Sequence, residues 1–193
     1  MPETLRTAAV TLRAPRRSDA RAVFENYAGD PRVTRYMLWR THAALSTSER
    51  YLSYVIQRNA MGVEWSWAIT LPDDDECIGM VSVIPDRHKA ELGYVLAHDY
   101  WGRGIMTGVA RSLLHWCFER AGLSRVWATC ASANAASARV LEKSGLRREG
   151  MLRSWLVFPN LARTPQDCLI YGLVREDFAA APAHQTETQR KTG

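Results

Sequence analysis

The sequence predicts one α/β domain with a mixed sheet, and two observations lead to that prediction. The chain has 193 residues, of which 47% are hydrophobic and 23% are charged, a composition that suits a single compact domain with a sizeable core. Segments with strand character and segments with helical periodicity alternate in the order βααβββαβαββ, which is typical of strands and helices packed in layers.

The first two predicted elements are a strand and a helix. Val10 and Leu12 give the strand pattern, and Pro15 ends it. Ser18 is a suitable N-cap for a helix that ends at Gly29, because serine and glycine favour these two helix ends.

A second helix and three strands follow. Ser46 and Glu49 form a capping-box pair, so we expect a helix from there to about Gly62. Short polar turns then separate three segments with strand character. These predicted strands are 64–70, 77–84 and 90–97.

The second half of the chain predicts two helices and three strands. An apolar face repeats along a long helix that ends at Gly122. Asn134 is a suitable N-cap for a shorter helix that ends at Gly145. The predicted strands of this half are 125–131, about 150–158 and about 168–174.

The domain is expected to span residues 1–179. The remaining segment, 180–193, is small, polar and unpatterned, so we expect it to be a disordered tail.

The composition argues against several classes of protein. No apolar run approaches the ~20 residues that cross a bilayer, and the N-terminal segment lacks the pattern of a signal peptide. The four cysteines have no paired short spacing, so we expect reduced core thiols in a cytoplasmic protein and no metal site. The net charge of +5 is modest, and no nucleic-acid recognition motif accompanies it.

Two glycines and an arginine stand where the strand at 90–97 leads into the long helix. Gly102 and Gly104 flank Arg103. A helix N-terminus attracts phosphate, because its first N–H groups lack internal partners and its dipole adds positive charge. Glycines let a phosphate approach the backbone, and the arginine adds a cation. The same glycines also suit a tight turn without a ligand, so both interpretations stay open on these residues alone.

Two other phosphate-binding motifs do not fit this stretch. A Walker A loop needs a lysine after its last glycine, and none follows here. A dinucleotide fingerprint needs a third glycine at the position of Thr107.

The segment from Trp101 to Met106 resembles the [QR]-x-x-G-x-[GA] pyrophosphate loop of the GNAT superfamily of acetyl-CoA-dependent N-acetyltransferases, with Gly104 at its key position. Trp101 is similar to the tryptophan common in the branch of RimJ/RimL-type ribosomal-protein N-terminal acetyltransferases. Met106 stands where a small residue is usual, so its side chain must find room away from the loop. Residues 134–150 resemble the family motif N-x-x-S-x-x-v-x-e-k-x-G-[FL], and the resemblance covers nearly the whole predicted domain in order.

The resemblance implies the GNAT fold, a mixed and mostly antiparallel sheet in the order β-ααβββ-α-β-α-ββ. It also implies acetyl-CoA as co-substrate and no metal. The strand at 90–97 would splay from the strand at 125–131, and its free backbone groups would receive the pantetheine at Tyr94, Val95 and Leu96. Asn134 would contact the cofactor as well as cap its helix. The pyrophosphate contacts implied by the family are Gly102, Arg103, Gly104, Ile105, Met106 and Thr107.

Acetyl transfer needs a base for the acceptor ammonium and an acid for the leaving thiolate. Glu91 opens the strand at 90–97 and is the candidate base, provided that burial raises its pKa; a solvated charge at a strand end is the alternative. Many members of the superfamily carry an acidic tyrosine at the position of Leu141. The resemblance to the ribosomal branch implies that Ser137 replaces it, and a harmless first-turn serine is the alternative.

Other residues are weaker candidates for the site. His88 and His98 are expected to be exposed turn residues, and a proton relay through one of them is the less favoured interpretation. Trp39, Trp65 and Trp67 are candidates for lining an acceptor pocket, with core packing as the alternative.

The expected acceptor is the α-amine of a protein N-terminus, as in a ribosomal protein. A small-molecule amine such as an antibiotic, a polyamine or an amino-acid derivative is the alternative, and the only dense acidic run, 73–76, is expected at a hairpin tip. A non-catalytic module that binds acetyl-CoA is a third hypothesis. We expect no direct nucleic-acid or membrane partner, and either a monomer or a homodimer.

Overall fold

Eight strands form one mixed sheet in the computed structural model, which describes residues 3–180. In spatial order the strands run β1-β2-β3-β4-β5-β6-β8-β7. Only β5 and β6 pair in parallel among the described strands, and every other neighbouring pair is antiparallel. The strands are β1 Leu5–Arg6, β2 Thr11–Arg13, β3 Trp65–Leu71, β4 Asp74–Asp86, β5 Lys89–Leu96, β6 Arg125–Ala131, β7 Arg147–Leu156 and β8 Gln166–Val174.

Helices cover both faces of the sheet. One face packs on α4 and α5, and the other packs on the irregular helical segment at the N-terminus and on α3. The α-helices are α1 Ala20–Val23, α2 Pro31–Thr34, α3 Leu45–Met61, α4 Ile105–Glu119, α5 Ala135–Lys143 and α6 Arg175–Ala180. Two 3-10 turns, Arg17–Asp19 and His98–Tyr100, and a π-helical segment, Phe24–Ala28, complete the helical structure.

Alternation along β5 assigns its side chains to the two faces. Ala90 and Leu92 are buried in the core beneath α4 and α5, whereas Val95 is buried beneath α1 and α3. Successive side chains of a strand point to opposite faces, so Glu91 points toward the α1–α3 face and Tyr94 toward the α4–α5 face.

The predicted fold is confirmed, with several local differences. The short helices α2 and α6 and the π-helical segment Phe24–Ala28 were not predicted. β1 was not predicted, because two residues are too few to show a pattern. Ser18 lies inside a 3-10 turn and is not the N-cap; the carboxylate of Asp19 accepts the bond from the backbone N–H of Arg16 at 2.8 Å instead. The capping box is also wrong, because α3 already begins at Leu45 and, within the described chain, no side chain caps it.

The acidic run at the β3–β4 hairpin is tied to arginines through Asp75, which lies near the start of β4. Arg13 donates to both carboxylate oxygens of Asp19, at 2.8 and 2.9 Å, and also forms an ion pair with Asp75. Arg16 pairs with the same Asp75 carboxylate. These contacts fasten the hairpin tip to the segment that follows β2.

The carboxy-terminal boundary is described only in part. Ala180 is the last residue of α6, and the rest of the predicted tail, 181–193, lies outside the described residues. The limits of the domain therefore stay a prediction.

Candidate active site

The glycine-rich loop lies between β5 and α4, as the sequence predicts. Gly102 and Gly104 have φ angles of 74° and 76°, a left-handed conformation that costs a residue with a side chain roughly 1–2 kcal/mol. A Cβ added at either glycine would meet no atom of the described structure within 4 Å. The loop therefore needs glycine for its backbone conformation, and the space above it is open.

The N-terminus of α4 opens into that space. Gly104 is the N-cap residue, and no side chain between residues 3 and 180 caps the helix. The N–H of Gly108 is bonded to the carbonyl of Gly104 at 3.0 Å, so the N–H groups of the first turn before it lack an intrahelical acceptor. These donors and the helix dipole together form a site for an anion.

Met106 does not obstruct this site. Its side chain is 6% exposed and lies in the core between α4 and the sheet, together with Ile105. Met106 thus contributes only its backbone to the loop surface. Its side chain lies away from the loop, as the sequence predicts.

Trp101 fastens the loop to β5. Its indole N–H donates to the carbonyl oxygen of Leu96 at 2.8 Å, and the guanidinium carbon of Arg103 lies 5.3 Å from the ring centre of Tyr100. The tryptophan therefore has a structural role at the end of the strand, and the exposed Arg103 remains beside the anion site.

A gap opens between β5 and β6 beside this loop. The parallel pairing covers only three residue pairs, and the last joins Glu91 to Trp127. Beyond it, Tyr94, Val95 and Leu96 pair with β4 and have no partner in β6 among the described pairs. Backbone groups on that side of β5 are therefore free to bind an extended ligand.

Gly79 supports the strand at the gap and was not singled out from the sequence. A Cβ at this position would lie 2.5 Å from the carbonyl oxygen of Val95, closer than any real contact. The close approach of β4 to β5 is a contact between distant residues, and the sequence around Gly79 carries no signal for it.

The N-terminus of α5 lies on the far side of the same gap. The side-chain oxygen of Asn134 accepts a bond from the N–H of Ser137 at 3.1 Å, which confirms the predicted N-cap. The hydroxyl oxygen of Ser137 lies 2.8 Å from the phenol oxygen of Tyr94. Leu141 is fully buried, so the position where many relatives carry a tyrosine belongs to the core here.

Glu91 approaches the gap from the opposite face of the sheet. Its side chain is half-buried, and burial raises the pKa of its carboxyl group above the ordinary value. In the described part of the chain, no side chain forms a hydrogen bond or ion pair with this carboxylate. The pKa of Glu91 is therefore shifted in the direction that a general base requires.

The segment between α2 and α3 covers the sheet face that Glu91 shares. Its aromatic side chains Trp39 and His42 lie with ring centres 5.1 Å apart, and Tyr51 of α3 completes the cluster. The Nδ1 atom of His42 is 2.7 Å from the hydroxyl oxygen of Ser48, and burial lowers the pKa of this histidine.

The other two tryptophan candidates, Trp65 and Trp67, lie on the opposite face of the sheet from Glu91. Trp65 and Trp67 both pack edge-on against Trp116 of α4, with ring centres 5.1 and 5.2 Å apart. The hypothesis that they line an acceptor pocket is therefore wrong, since alternation along β3 turns them toward α4.

Asn160 connects the loop after β7 to the segment between α2 and α3. Its amide donates to the carbonyl oxygens of Thr34 and Trp39, both at 2.8 Å, and its oxygen accepts from the N–H of Thr41 at 3.1 Å. A single asparagine in a long loop has no pattern around it, so the sequence did not reveal this connection.

The remaining candidates are two histidines, and His98 lies next to the loop, since its ring centre is 4.9 Å from that of Trp101. His88 is exposed in the turn before β5, and His98 is half-buried beside Asp99, its Nδ1 atom 3.5 Å from a carboxylate oxygen. Within residues 3–180, no group of three or more potential ligands is arranged for a metal ion. Over the same residues, no helix has both the length and the apolar character needed to cross a membrane.

Comparisons with known proteins agree with this geometry. The family model of the acetyltransferase (GNAT) domain matches residues 9–147. An uncharacterized N-acetyltransferase of Bacillus subtilis, YoaA, is 29% identical over 178 residues, which are 89% of this chain and 96% of YoaA.

Two solved structures have the same fold. The ribosomal-protein-S5-alanine acetyltransferase of Vibrio fischeri has a TM-score of 0.78 at 21% identity and covers 91% of this chain and 98% of its own. The microcin C7 self-immunity acetyltransferase MccE, solved with acetyl-CoA and AMP, has a TM-score of 0.79 at 21% identity and covers 87% of this chain and 93% of its own. At this level of identity, both comparisons show a shared fold.

Proposed function

The chain belongs to the GNAT acetyltransferase family, and on that premise we propose that this acetyl-CoA-dependent N-acetyltransferase modifies the α-amine of a protein N-terminus. Relatives named as N-acetyltransferases favour an enzyme over a GNAT module without catalytic activity. The observation that carries the acetyl-CoA part of the proposal is the uncapped N-terminus of α4 beside the gap between β5 and β6; the choice of acceptor rests on the charges described below.

The residues around the gap fit coenzyme A. The amides at the start of α4 and the exposed Arg103 suit its pyrophosphate, the unpaired backbone of β5 suits its pantetheine, and Asn134 lies at the near end of α5. When bound, acetyl-CoA supplies a thioester as the acetyl donor. The residues proposed to hold it are Tyr94, Val95, Leu96, Gly102, Arg103, Gly104, Ile105, Met106, Thr107 and Asn134.

Two side chains are proposed to move protons, one from each face of the sheet. Glu91 removes a proton from the acceptor ammonium, directly or through a water molecule, and burial brings its pKa closer to neutral pH. Ser137 donates a proton on the other side of the gap. The acceptor therefore enters from the α1–α3 face, and the cofactor from the α4–α5 face.

The charges favour a single amine over a polycation as acceptor. A polyamine or aminoglycoside needs several carboxylates in its pocket, but in the acidic run at the β3–β4 hairpin the carboxylate of Asp75 is paired with Arg13 and Arg16. Glu91 suits one ammonium group. Trp101 and Ser137 also follow the ribosomal branch of the family.

The small-molecule alternative remains a second candidate because MccE has the same fold. We further propose a cytoplasmic location, consistent with four buried free cysteines, and either a monomer or a homodimer.

Calorimetric titration with acetyl-CoA tests the cofactor site. The native protein is expected to bind acetyl-CoA with micromolar affinity and to show no binding of ATP. Gly104→Ala strains the loop and is expected to weaken the binding at least tenfold, because the amides of α4 lose their alignment.

Gly62→Ala is the matched control for this variant. Gly62 also has a left-handed conformation, with φ of 69° and open space where a Cβ would lie, but it ends α3. Both variants should lose roughly 1–2 kcal/mol of stability, and only Gly104→Ala should lose affinity. Equal affinities in the two variants would remove the loop from the proposed site.

The class of acceptor is then tested by comparing the rates at which the enzyme acetylates peptides and small amines. Peptides with a free N-terminus are expected to be acetylated, and the same peptides with a blocked N-terminus and an internal lysine are not. Faster turnover of spermidine or an aminoglycoside than of every peptide would favour the small-molecule alternative.

A further inference from the structure

We propose that Tyr94 is a positioning residue that orients the hydroxyl of Ser137 toward the gap between β5 and β6. This inference rests on the proposed function, in which Ser137 donates the proton. It assigns a role to the side chain of Tyr94, in addition to the role proposed for its backbone.

The phenol of Tyr94 reaches from the sheet to the start of α5. Its oxygen lies 2.8 Å from the hydroxyl oxygen and 3.2 Å from the carbonyl oxygen of Ser137. Ser137 is also held from the other side, because its N–H is bonded to Asn134. The phenol thus contacts the proposed proton donor directly, in the place where the sheet has opened.

Two arrangements of the hydroxyl hydrogens fit these distances. In one, the phenol donates to the carbonyl oxygen of Ser137 and accepts from its hydroxyl, so that the serine hydrogen is occupied. In the other, the phenol donates to the hydroxyl oxygen, and the serine hydrogen is free to point into the gap. A rotation of two O–H bonds changes one arrangement into the other.

The second arrangement also supports the proton transfer. As the O–H bond of Ser137 breaks, its proton joins the departing thiolate sulfur and the bonding electron pair stays on the serine oxygen. The phenol hydrogen bond stabilises that charge, and a solvent proton afterwards restores the hydroxyl.

The surroundings keep the Tyr94 phenol and the nearby Cys130 thiol neutral. Burial raises the pKa of the Tyr94 phenol, although its bond to Ser137 opposes the rise. Burial also raises the pKa of the neighbouring Cys130 thiol to about 11. Tyr94 is therefore a hydrogen-bond donor throughout the pH range in which an acetyltransferase works, while Leu141 leaves no hydroxyl at the usual position of the family tyrosine.

Four proteins test the inference: the native enzyme, Tyr94→Phe, Ser137→Ala and the double variant. Tyr94→Phe is expected to lower kcat about tenfold, a part of the 10²–10⁴-fold effect of a general acid, while the KM for acetyl-CoA changes less than twofold. In the Ser137→Ala background, Tyr94→Phe is expected to have no further effect on kcat. A second readout needs no cofactor: urea unfolding of the four ligand-free proteins should give a non-additive double-mutant cycle, since the two hydroxyls are in contact.

Tyr171→Phe is the matched control. Tyr171 is also buried, and its phenol donates to a side chain of α5, the carboxylate of Glu142 at 3.0 Å. This variant loses a comparable hydrogen bond and should leave kcat unchanged.

The outcomes separate this inference from the proposed function. An unchanged kcat in Tyr94→Phe, or a multiplied loss in the double variant, would overturn the positioning role while the enzyme itself remains active. Failure of the native protein to bind acetyl-CoA or to acetylate any amine would instead overturn the proposed function.

Discussion

Glu91 combines two features that rarely occur together in one carboxylate. It lies at the last residue pair between β5 and β6, and it is half-buried with no partner for its charge among the described side chains. Burial without a partner raises the pKa of a carboxyl group, because the ionised form loses hydration and gains nothing in return. Such a group is costly to the fold and useful as a base.

Glu91→Gln is expected to lower kcat about 100-fold, within the usual range for the loss of a general base. The native enzyme must ionise Glu91 before it reacts, so its activity should rise as the pH rises through the elevated pKa. The variant should lack this rise. Steady-state rates measured from pH 5 to 9 check the expectation, with Glu49→Gln, an exposed acid on α3, as the control.

The same substitution should affect stability in the opposite direction. A carboxyl group whose pKa is higher in the folded state favours folding at low pH, and this contribution is lost as the pH rises through that pKa. Glu91→Gln should therefore have a higher Tm than the native protein at pH 8 and nearly the same Tm at pH 4. A variant that is less stable at pH 8, with an unchanged rate profile, would identify Glu91 as a structural residue.

The sequence predicted the role of a single residue where a local motif places that residue at a helix end. The N-cap role of Asn134 and the left-handed Gly104 follow from local rules about helix ends. The contact between Tyr94 and Ser137 joins residues 43 positions apart. Alternation along the strand predicts the sheet face on which Tyr94 lies, but it does not predict the residue that Tyr94 contacts.

Whole elements were predicted best where their pattern is self-contained. β6 has the predicted limits, Arg125–Ala131, and α4 ends just before the predicted Gly122. The start of α3 was mispredicted, because the chain enters that helix in an extended conformation at Ala44. The loops that border the proposed acceptor side follow no periodic pattern, and tertiary contacts such as those of Asn160 decide their course.

Asn160→Ala is expected to loosen the segment between α2 and α3. It removes the donor to the Trp39 carbonyl and the acceptor of the Thr41 N–H, at a cost of about 2 kcal/mol in the free energy of unfolding. If this segment borders the acceptor, the KM for the acceptor should rise roughly tenfold, while the KM for acetyl-CoA stays the same. Urea unfolding and steady-state kinetics measure both effects.

Asn26→Ala is the control for this variant. The amide of Asn26 also bridges two elements, donating to Glu76 at 2.8 Å and to the carbonyl of Cys77 at 3.0 Å, but it lies at the other end of β4 from Glu91. It should lose stability without a change in either KM. If the two variants raise the acceptor KM equally, the effect comes from general loosening and not from the connection at Asn160.

In the proposed function, the sheet of the whole molecule separates cofactor binding from acceptor binding. Tyr94 and Ser137 lie on the α4–α5 face, Glu91 points to the α1–α3 face, and the gap between β5 and β6 joins the two. The order of strands and helices in the sequence predicts this layered arrangement. The extent of the gap was known only by resemblance, since pairing between strands is a non-local property.

Acid stability is expected to depend on arginine pairs at the surface. Asp30, Asp75 and Glu149 each have a lowered pKa, chiefly because an arginine side chain donates hydrogen bonds to the carboxylate. A carboxyl group with a lowered folded-state pKa stabilises the fold above its unfolded pKa of about 4, and this stabilisation is lost as the pH falls through the folded value. The raised pKa of Glu91 has the opposite effect on acid stability, but Glu91 is one group and the carboxylates with a lowered pKa are three.

The Tm should therefore fall as the pH drops below about 5, and the fall should be smaller at high salt, which screens partly exposed pairs. Asp75→Asn should flatten part of this acid-induced fall, because it removes a carboxylate that pairs with two arginines. Asp73→Asn, at an exposed residue in the turn just before β4, should leave the curve unchanged. Melting curves recorded between pH 3 and 7 decide the matter, and a constant Tm over that range, or equal curves for the two variants, would show that these ion pairs contribute nothing to folding.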